Sequence, residues 1–245
     1  MPDDGPKKAG GRLRQACVGG EDAATSKIFR IVVFSWCDSH GVIAGQNISQ
    51  WAEDWWTWQL QAPFGTNPLL DASGVDANYN NNGPIFFLGG SLDPNGVVTR
   101  DFSIPNDTPI LVPVLAYLGS QFTGTGPDPK NIATGTPAAA NNLLHEWEKS
   151  VDNLFLIIDG VEIGDLSNDL VKTGFFDIGV PQPGSLLDES GVIGDVSHSK
   201  SEAYFVVLGG FASGDHTIEF GGSAIDPGTG KHYTNHIVDH VHVGL

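Results

Sequence analysis

Cysteine is almost missing from this chain of 245 residues, in which only Cys17 and Cys37 are present. Both precede residue 46, and the only intramolecular disulfide open to them would join the two. The rest of the chain therefore has no disulfide framework. A chain of this length needs none, because it buries roughly 70% of its unfolded surface on folding.

Basic residues are also scarce. The chain has 12 Lys and Arg residues against 29 Asp and Glu residues, which gives a net charge of −17. Residues 1–45 contain six basic and five acidic side chains, so the other 200 residues carry a charge of −18. A field of this sign repels phosphate backbones and argues against a nucleic-acid partner. Divalent cations and cationic surfaces suit it better, although acidity alone also keeps a protein soluble.

Long apolar runs and familiar catalytic motifs are absent as well. The most apolar stretch, Pro109–Gly119, is too short to span a membrane and is interrupted by Pro113. No G-x-S-x-G, phosphate-binding loop, G-x-G-x-x-G or H-E-x-x-H sequence occurs. Glu146 and Glu148, two positions apart on a predicted helix, point in different directions and make a poor glycosidase pair. These absences lean against an enzyme, while a Ser/His/Asp site assembled from distant residues stays open.

Turn-forming residues are plentiful, with 32 Gly and 15 Pro, which argues against a helical bundle. Two helices are nevertheless predicted. The first starts at a capping box formed by Asn47 and Gln50 and ends at Pro63. The second starts at Thr136, with Pro137 in the first helical position.

Alternating and β-branched runs predict about nine strands between these helices and after them. The clearest pair is a hairpin in which Asp159-Gly160 forms a tight mirror-image turn. A second hairpin is expected between residues 85–88 and 97–104. Other predicted strands are 109–117, 175–180, 203–208, 216–220 and 236–243. The predicted fold class is all-β and mainly antiparallel, a β-sandwich or jelly roll with two helices packed on it.

The first 45 residues differ from the rest and are predicted to be an N-terminal extension to a single β-sandwich domain at 46–245. Residues 1–26 have the composition of a tail. Residues 27–44 combine a basic flank, the apolar run Ile31–Phe34 and small residues before Gly45, as in a degenerate signal peptide. Arg30 and Asp38 interrupt that pattern, so an ordinary buried strand is an equal alternative.

Several motifs together resemble a family of uncharacterised, mostly exported bacterial proteins. The resemblance covers Trp51 to the end of the sequence, and not residues 1–45. Its motifs are Trp51-x3-Trp55-Trp56-x-Trp58, Asn67-Pro68-x-x-Asp71-x-Ser73-Gly74, Gly83-Pro84-Ile85-Phe86-Phe87-Leu88-x-Gly90, Arg100-x-Phe102-x-Ile104-Pro105, Asp159-Gly160-Val161 and Gly214-x-His216-Thr217-Ile218-x-Phe220-x-Gly222. The resemblance implies a β-sandwich that is secreted or at the cell surface, and it implies no particular activity.

In that family the positions of Ala77 and Phe102 are usually cysteines, which the resemblance implies are disulfide partners. Here one residue is small and the other is large and apolar. A small and a large side chain can together fill the space of a lost crosslink. We therefore expect the side chains of Ala77 and Phe102 to lie close together, with their β-carbons within about 8 Å of each other.

The last predicted strand carries a candidate metal site. Strand alternation places His236, His240 and His242 on one face, where neutral imidazoles could bind zinc or copper. His232 or His216 could complete such a site. The alternative is that these histidines face solvent or act as polar spacers. Asp239 falls on the opposite, apolar face, where a carboxylate needs a partner.

A second candidate site is a loop with oxygen-bearing side chains at alternating positions, namely Asp71, Ser73, Asp76 and Asn78, followed by Asn80. Oxygen-bearing side chains spaced in this way around a glycine turn are arranged like the ligands of a calcium-binding loop. No glutamate follows at the spacing that an EF-hand requires. The same residues are also ordinary turn formers, so calcium and a plain turn are both open.

The tryptophans raise the question of a carbohydrate ligand, because flat aromatic rings stack on sugars. Trp51, Trp55 and Trp58 lie on one helical stripe, which favours a role in the core. Trp56 lies off that stripe, which predicts that the first helix is covered on more than one side. Trp56 is also the only one of these tryptophans expected to be exposed.

Three hypotheses for function follow. The first is an exported or surface-associated binding or structural β-sandwich, stabilised by calcium and without a catalytic role. The second is a metalloenzyme that uses the His240-x-His242 strand. The third is a homo-oligomer or filament in which the apolar run of the extension adds a strand to a neighbour's sheet.

Overall fold

The computed structural model describes residues 32–34, 42–92, 96–124, 136–209 and 211–244; for residues 32–34 and 121–124 it describes the backbone only. Strands dominate these residues, and the expected β-rich class with few helices is confirmed. The strands are β1 Val32–Phe34, β2 Val42–Ile43, β3 Gln46–Asn47, β4 Phe86–Phe87, β5 Val97–Ile104, β6 Ile110–Gly124, β7 Asn153–Ile158, β8 Val161–Glu162, β9 Leu170–Lys172, β10 Val192–Gly209, β11 Gly214–Ile225 and β12 His232–Val243. The helices are α1 Ile48–Gln61, α2 Pro137–Ser150 and the single turn α3 Leu186–Glu189.

Both predicted helices start where their capping residues stand. The backbone N–H of Gln50 donates to Asn47 Oδ1, and the N–H of Asn47 donates to Gln50 Oε1, each over 3.0 Å. Thr136 Oγ1 accepts from the N–H of Ala139, and Pro137 occupies the first position of α2. Helix α3 was not predicted, because one turn is too short for a periodic pattern. Among the described helices, none has the length and apolar character needed to cross a membrane.

The strands form two five-stranded sheets and one small hairpin. In sheet one the order is β1-β10-β6-β4, with β9 also paired to β10, and in sheet two it is β5-β12-β11-β7-β8. β4 runs parallel to β6, and β5 runs parallel to β12, whereas the other pairs are antiparallel. The Asp159-Gly160 hairpin is confirmed, with φ of 51° and 79° at its two turn residues.

Two strand predictions were wrong. The expected hairpin between 85–88 and 97–104 does not form, because β4 joins sheet one and β5 joins sheet two. Residues 175–180 form only isolated bridges, at Phe176 with Ser199 and at Gly179 with Val196. Turn residues favour a reversal of the chain, but they do not decide which strand it then meets.

One apolar core is shared by the two sheets. Its buried side chains come from both, among them Val112, Val206, Phe220 and Ile237. A second buried cluster lies between α1, α3 and sheet one, where Trp55 packs edge-on against Phe205 at 5.3 Å. Sheet one is therefore buried on both faces. Sheet two alternates between a buried face and a polar face, as the pattern of β5 shows.

Ala77 and Phe102 both belong to the core that the sheets share. The N–H of Asp101 donates to Ser73 O over 2.9 Å, which attaches the loop that precedes Ala77 to β5. Phe102 itself stacks on Phe86, with 5.9 Å between ring centroids. Their direct contact stays a prediction. Cys17 and Cys37 lie outside the described residues, whereas part of the apolar run near them forms β1 against β10.

Candidate functional site

Polar side chains line the outer face of sheet two where β5, β12 and β11 lie side by side. We call this surface the histidine–acid face and define it by Asp101, Asp215, Thr217, Glu219, His236, His240 and His242. Pairing brings the three strands into register: His240 lies opposite Thr217 on one side and Asp101 on the other. Ile237, Asp239, Val241 and Val243 of β12 lie on the opposite face and are buried. The predicted alternation is confirmed, since the three histidines share one face.

His242 is held between two carboxylates on neighbouring strands. Its Nδ1 lies 2.6 Å from Asp215 Oδ1 on β11, and its Nε2 lies 3.0 Å from Asp101 Oδ1 on β5. Only a doubly protonated ring can donate both hydrogen bonds. Hydrogen bonds to Asp215 and then to Asp101 raise the pKa of His242 above its ordinary value, which outweighs the opposing effect of desolvation. In its protonated form the His242 ring links three strands, while both carboxylates stay largely exposed.

The other two histidines have different surroundings. His236 Nε2 lies 2.9 Å from Glu219 Oε1, and its ring meets Phe155 edge-on at 5.0 Å. His240 is exposed, and its Nδ1 lies 3.4 Å from Thr217 Oγ1. A pocket of about 260 Å³ opens beside His240, and its lining residues are Asp101, Asp215, His216, Thr217, His240, Val241 and His242.

The histidines do not converge on one point. His236 and His242 are engaged by different carboxylates, and His232 Nε2 lies 3.2 Å from Asp152 Oδ2 at the far end of β12. His216 is buried between Asp159 Oδ2 and Ala212 O. Within the part of the chain that the structure describes, no three His, Cys, Asp or Glu side chains are grouped to hold a metal ion. Zinc or copper binding stays a prediction, and it would require His242 to release a carboxylate.

The predicted calcium loop is closed on itself by hydrogen bonds. Asp71 Oδ1 accepts from the N–H groups of Ser73 and Gly74 and from the Ser73 hydroxyl, while Oδ2 accepts from the N–H of Asp76. Burial alone would raise the pKa of Asp71, but these hydrogen bonds outweigh it and lower the pKa. Asn78 is exposed. This geometry is typical of a turn stabilised by an aspartate, and calcium binding stays a prediction.

A buried ion pair beneath the histidine–acid face was missed by the sequence analysis. Arg100 Nε donates to Asp239 Oδ1 over 2.8 Å, and the two side chains are 2% and 0% exposed. The Arg100 guanidinium also donates to Gly89 O over 2.7 Å. Burial raises the pKa of Asp239 to about 6, although Arg100 acts in the opposite direction. The partner that Asp239 needs is therefore an arginine from the parallel strand β5, which only the strand pairing could reveal.

One grouping of Ser, His and Asp occurs near the end of α2, but its order is unlike that of a hydrolase. Ser223 Oγ donates to Asp152 Oδ1, and His232 Nε2 lies near Asp152 Oδ2. The carboxylate is thus in the middle. A hydrolytic triad needs the histidine in the middle, so that the imidazole can take the proton of the hydroxyl.

The expectation that Trp56 is exposed was wrong. Trp56 is 9% exposed, and its Nε1 donates to Ser201 Oγ on β10 over 2.8 Å. Helix α1 is covered on two sides, since Trp55 Nε1 donates in turn to Leu88 O. Trp51 and Trp55 are core residues as predicted, and Trp58 is half-buried. A carbohydrate-stacking role for Trp56 therefore has no support.

In comparisons with known proteins, no family model, no curated protein and no solved structure matches this chain. The resemblance to exported bacterial proteins stays a prediction.

The charge state of His242 gives a testable prediction. Its pKa is raised in the folded chain, so the stabilisation it contributes is fully present below its unfolded pKa and is lost as the pH rises through its folded pKa. Replacing His242 by Gln should therefore cost more stability at pH 5.5 than at pH 9, as measured by urea unfolding. The matched control is His240→Gln on the same strand, whose ring has no carboxylate hydrogen bond among the described contacts. A loss of stability that is equal at both pH values would contradict the hydrogen bonding of a charged His242 to Asp101 and Asp215.

Proposed function

We propose that this chain is a non-catalytic binding protein, a β-sandwich whose ligand surface is the histidine–acid face. The shared core of the two sheets supports the sandwich arrangement. The exposed side chains of Asp101 and Asp215 support the choice of surface, because both are more than half exposed and line one pocket. A rigid sheet presents these groups more accurately than a loop could.

The observation that carries the proposal is the fixed spacing of acidic groups on this face. His242 lies between Asp101 on one side and Asp215 on the other, and hydrogen bonds to its ring hold both carboxylates in place. Glu219 Oε1 lies 2.9 Å from His236 Nε2 on the same face. Acids ordered before binding lose little freedom when a ligand arrives, which favours affinity. The charge of −18 outside the first 45 residues also attracts positively charged partners.

The ligand class that this surface fits is therefore cationic, a molecule or polymer with several amine or guanidinium groups. Guanidinium and ammonium groups form charge-assisted hydrogen bonds with carboxylates. Phe155, half-buried beside His236, offers an aromatic ring within the same sheet face. Export to the cell surface would suit such binding, and it rests on the motif resemblance alone.

Titration of the full chain with a peptide of ten lysines tests this proposal. We expect binding at low salt that weakens as salt is added. The double variant Asp101→Asn/Asp215→Asn should lose at least about tenfold in affinity, the loss expected when close charge pairs are removed from an interface. The matched control is Glu189→Gln/Asp195→Asn, which changes the net charge equally at exposed positions elsewhere.

The control should change the affinity by less than about twofold, since distant exposed charges are screened by salt. Equal losses of affinity in both double variants would show that binding of the peptide depends only on the net charge of the protein. That result would overturn the proposal. The rival metalloenzyme makes a different prediction. It requires stoichiometric zinc or copper in the purified protein, which would be lost on His240→Ala.

A further inference from the structure

Residues 7–14 are the most basic stretch of the chain. Between positions 7 and 14 stand Lys7, Lys8, Arg12 and Arg14 without an acidic residue among them. These four supply a third of the 12 basic side chains in the whole sequence. We call residues 7–14 the basic segment. It lies outside the described residues, and its charge is opposite to that of the histidine–acid face.

The first described residue of the chain lies near the end of β10 that leads to this face. β1 is antiparallel to β10, and Val32 is opposite Gly209, the last residue of β10. β11 begins five positions after Gly209, and its second residue is Asp215. Val32 is therefore next to the strand end that is followed, six positions later, by Asp215.

The chain between the basic segment and β1 is long enough for the segment to reach the histidine–acid face. The 18 steps from Arg14 to Val32 can span up to about 60 Å when extended. A folded unit of about 200 residues has a radius of gyration near 16 Å and is therefore roughly 40 Å across. The tether lets the basic segment reach the histidine–acid face and also keeps it at a high effective concentration, in the millimolar range.

We propose that the basic segment docks on the histidine–acid face of its own chain and competes there with external cationic ligands. This inference rests on the proposed function, because it uses the same surface. The acidic groups it would meet are Asp101 and Asp215, whose Oδ1 atoms are already oriented by His242. The chain thus carries its own competitor, and binding of an outside cation requires the segment to be displaced.

Zero-length carbodiimide crosslinking of the full chain tests the contact directly, with the joined peptides identified by mass spectrometry. We expect Lys7 or Lys8 to be joined to Asp101 or Asp215 at low salt. The pair Lys149 and Glu146, 3.1 Å apart, serves as the internal positive control. Mixing light and isotope-labelled protein shows whether each crosslink lies within one chain or between two.

Two outcomes would overturn the docking. One is crosslinks from Lys7 and Lys8 that fall equally on exposed acids elsewhere, such as Glu189 and Asp195, and persist in Asp101→Asn/Asp215→Asn. The other is crosslinks between light and labelled chains only, which would place the segment on a second copy. If the lysine peptide still binds through Asp101 and Asp215 in either case, the proposed function stands and only the docking fails.

Competition between the basic segment and an external ligand is tested by a separate measurement, the affinity for the lysine peptide. The variant Lys7→Gln/Lys8→Gln/Arg12→Gln/Arg14→Gln should bind the lysine peptide about fivefold more tightly than the wild type, as expected when a weak tethered competitor is removed. Lys149→Gln/Lys231→Gln is the control for added negative charge at exposed sites, and it should gain less than half as much in free energy. Equal gains per charge removed would contradict competition.

Discussion

Replacement of Arg100 by Met should lower the free energy of unfolding by about 3–5 kcal/mol, because one partner of a buried ion pair is removed while the other stays. Asp239 is completely buried and would lose the cation that lies 2.8 Å away. The carbonyl oxygen of Gly89 would also lose its donor. Guanidinium unfolding at pH 8, followed by circular dichroism, measures this loss.

The dependence on pH separates this effect from a mere loss of packing. Burial has already raised the pKa of Asp239 to about 6, and removal of Arg100 raises it further. A carboxyl group with a raised pKa favours the folded state only while it is protonated, so the cost of Arg100→Met should grow from pH 5 to pH 8. Adding Asp239→Leu to Arg100→Met should recover most of the loss, since an apolar pair can replace a buried ion pair. A cost below about 1 kcal/mol at pH 8 would contradict the assigned burial of the pair.

Replacement of Gly221 by Ala should cost about 3 kcal/mol or more, at the upper end of what overpacking usually costs. A β-carbon at this position would lie 1.9 Å from Asn235 O and 2.9 Å from the Phe155 ring. The carbonyl belongs to the backbone of β12, so no side-chain movement can relieve the overlap. β11 and β12 would have to separate next to His236, which is opposite Gly221 in the pairing.

Gly164→Ala is the matched control for Gly221→Ala, because a β-carbon there would meet no heavy atom within 4 Å. We expect its effect on the free energy of unfolding to stay within about 0.5 kcal/mol. Both variants can be compared in one set of urea unfolding curves. Similar small effects at the two positions would show that β11 and β12 do not approach each other as closely as described.

The features of the fold that depend on residues close together in the sequence could be predicted from it. The capping residues Asn47 and Thr136 fix where α1 and α2 begin, and Asp159-Gly160 fixes the turn between β7 and β8. In each case the residues that interact are fewer than five positions apart. The location of β5 could not be predicted in this way, because its partner β12 follows more than 130 positions later.

Only the histidines of the candidate site could be predicted from the sequence. Strand periodicity placed His236, His240 and His242 on one face, which the structure confirms. The carboxylates that hold them come from neighbouring strands, and only the register of β5 and β11 on β12 brings Asp101 and Asp215 to His242. Trp56 illustrates the same limit: the helical pattern predicts that α1 is covered on more than one side, but not that β10 is the element that buries Trp56.

The parallel pairing of β5 with β12 also determines how early sheet two can form while the chain is being synthesised. Arg100 and Asp239 are separated by 139 positions, and at the usual speed of translation the ribosome needs on the order of ten seconds to cover that distance. Throughout that interval β5 lacks its strand partner, so Val98, Arg100 and Phe102, which are buried in the folded protein, cannot yet pack beside β12. Sheet two is therefore among the last parts of the molecule that can close, and until β12 appears β5 has an unpaired edge that another strand could bind.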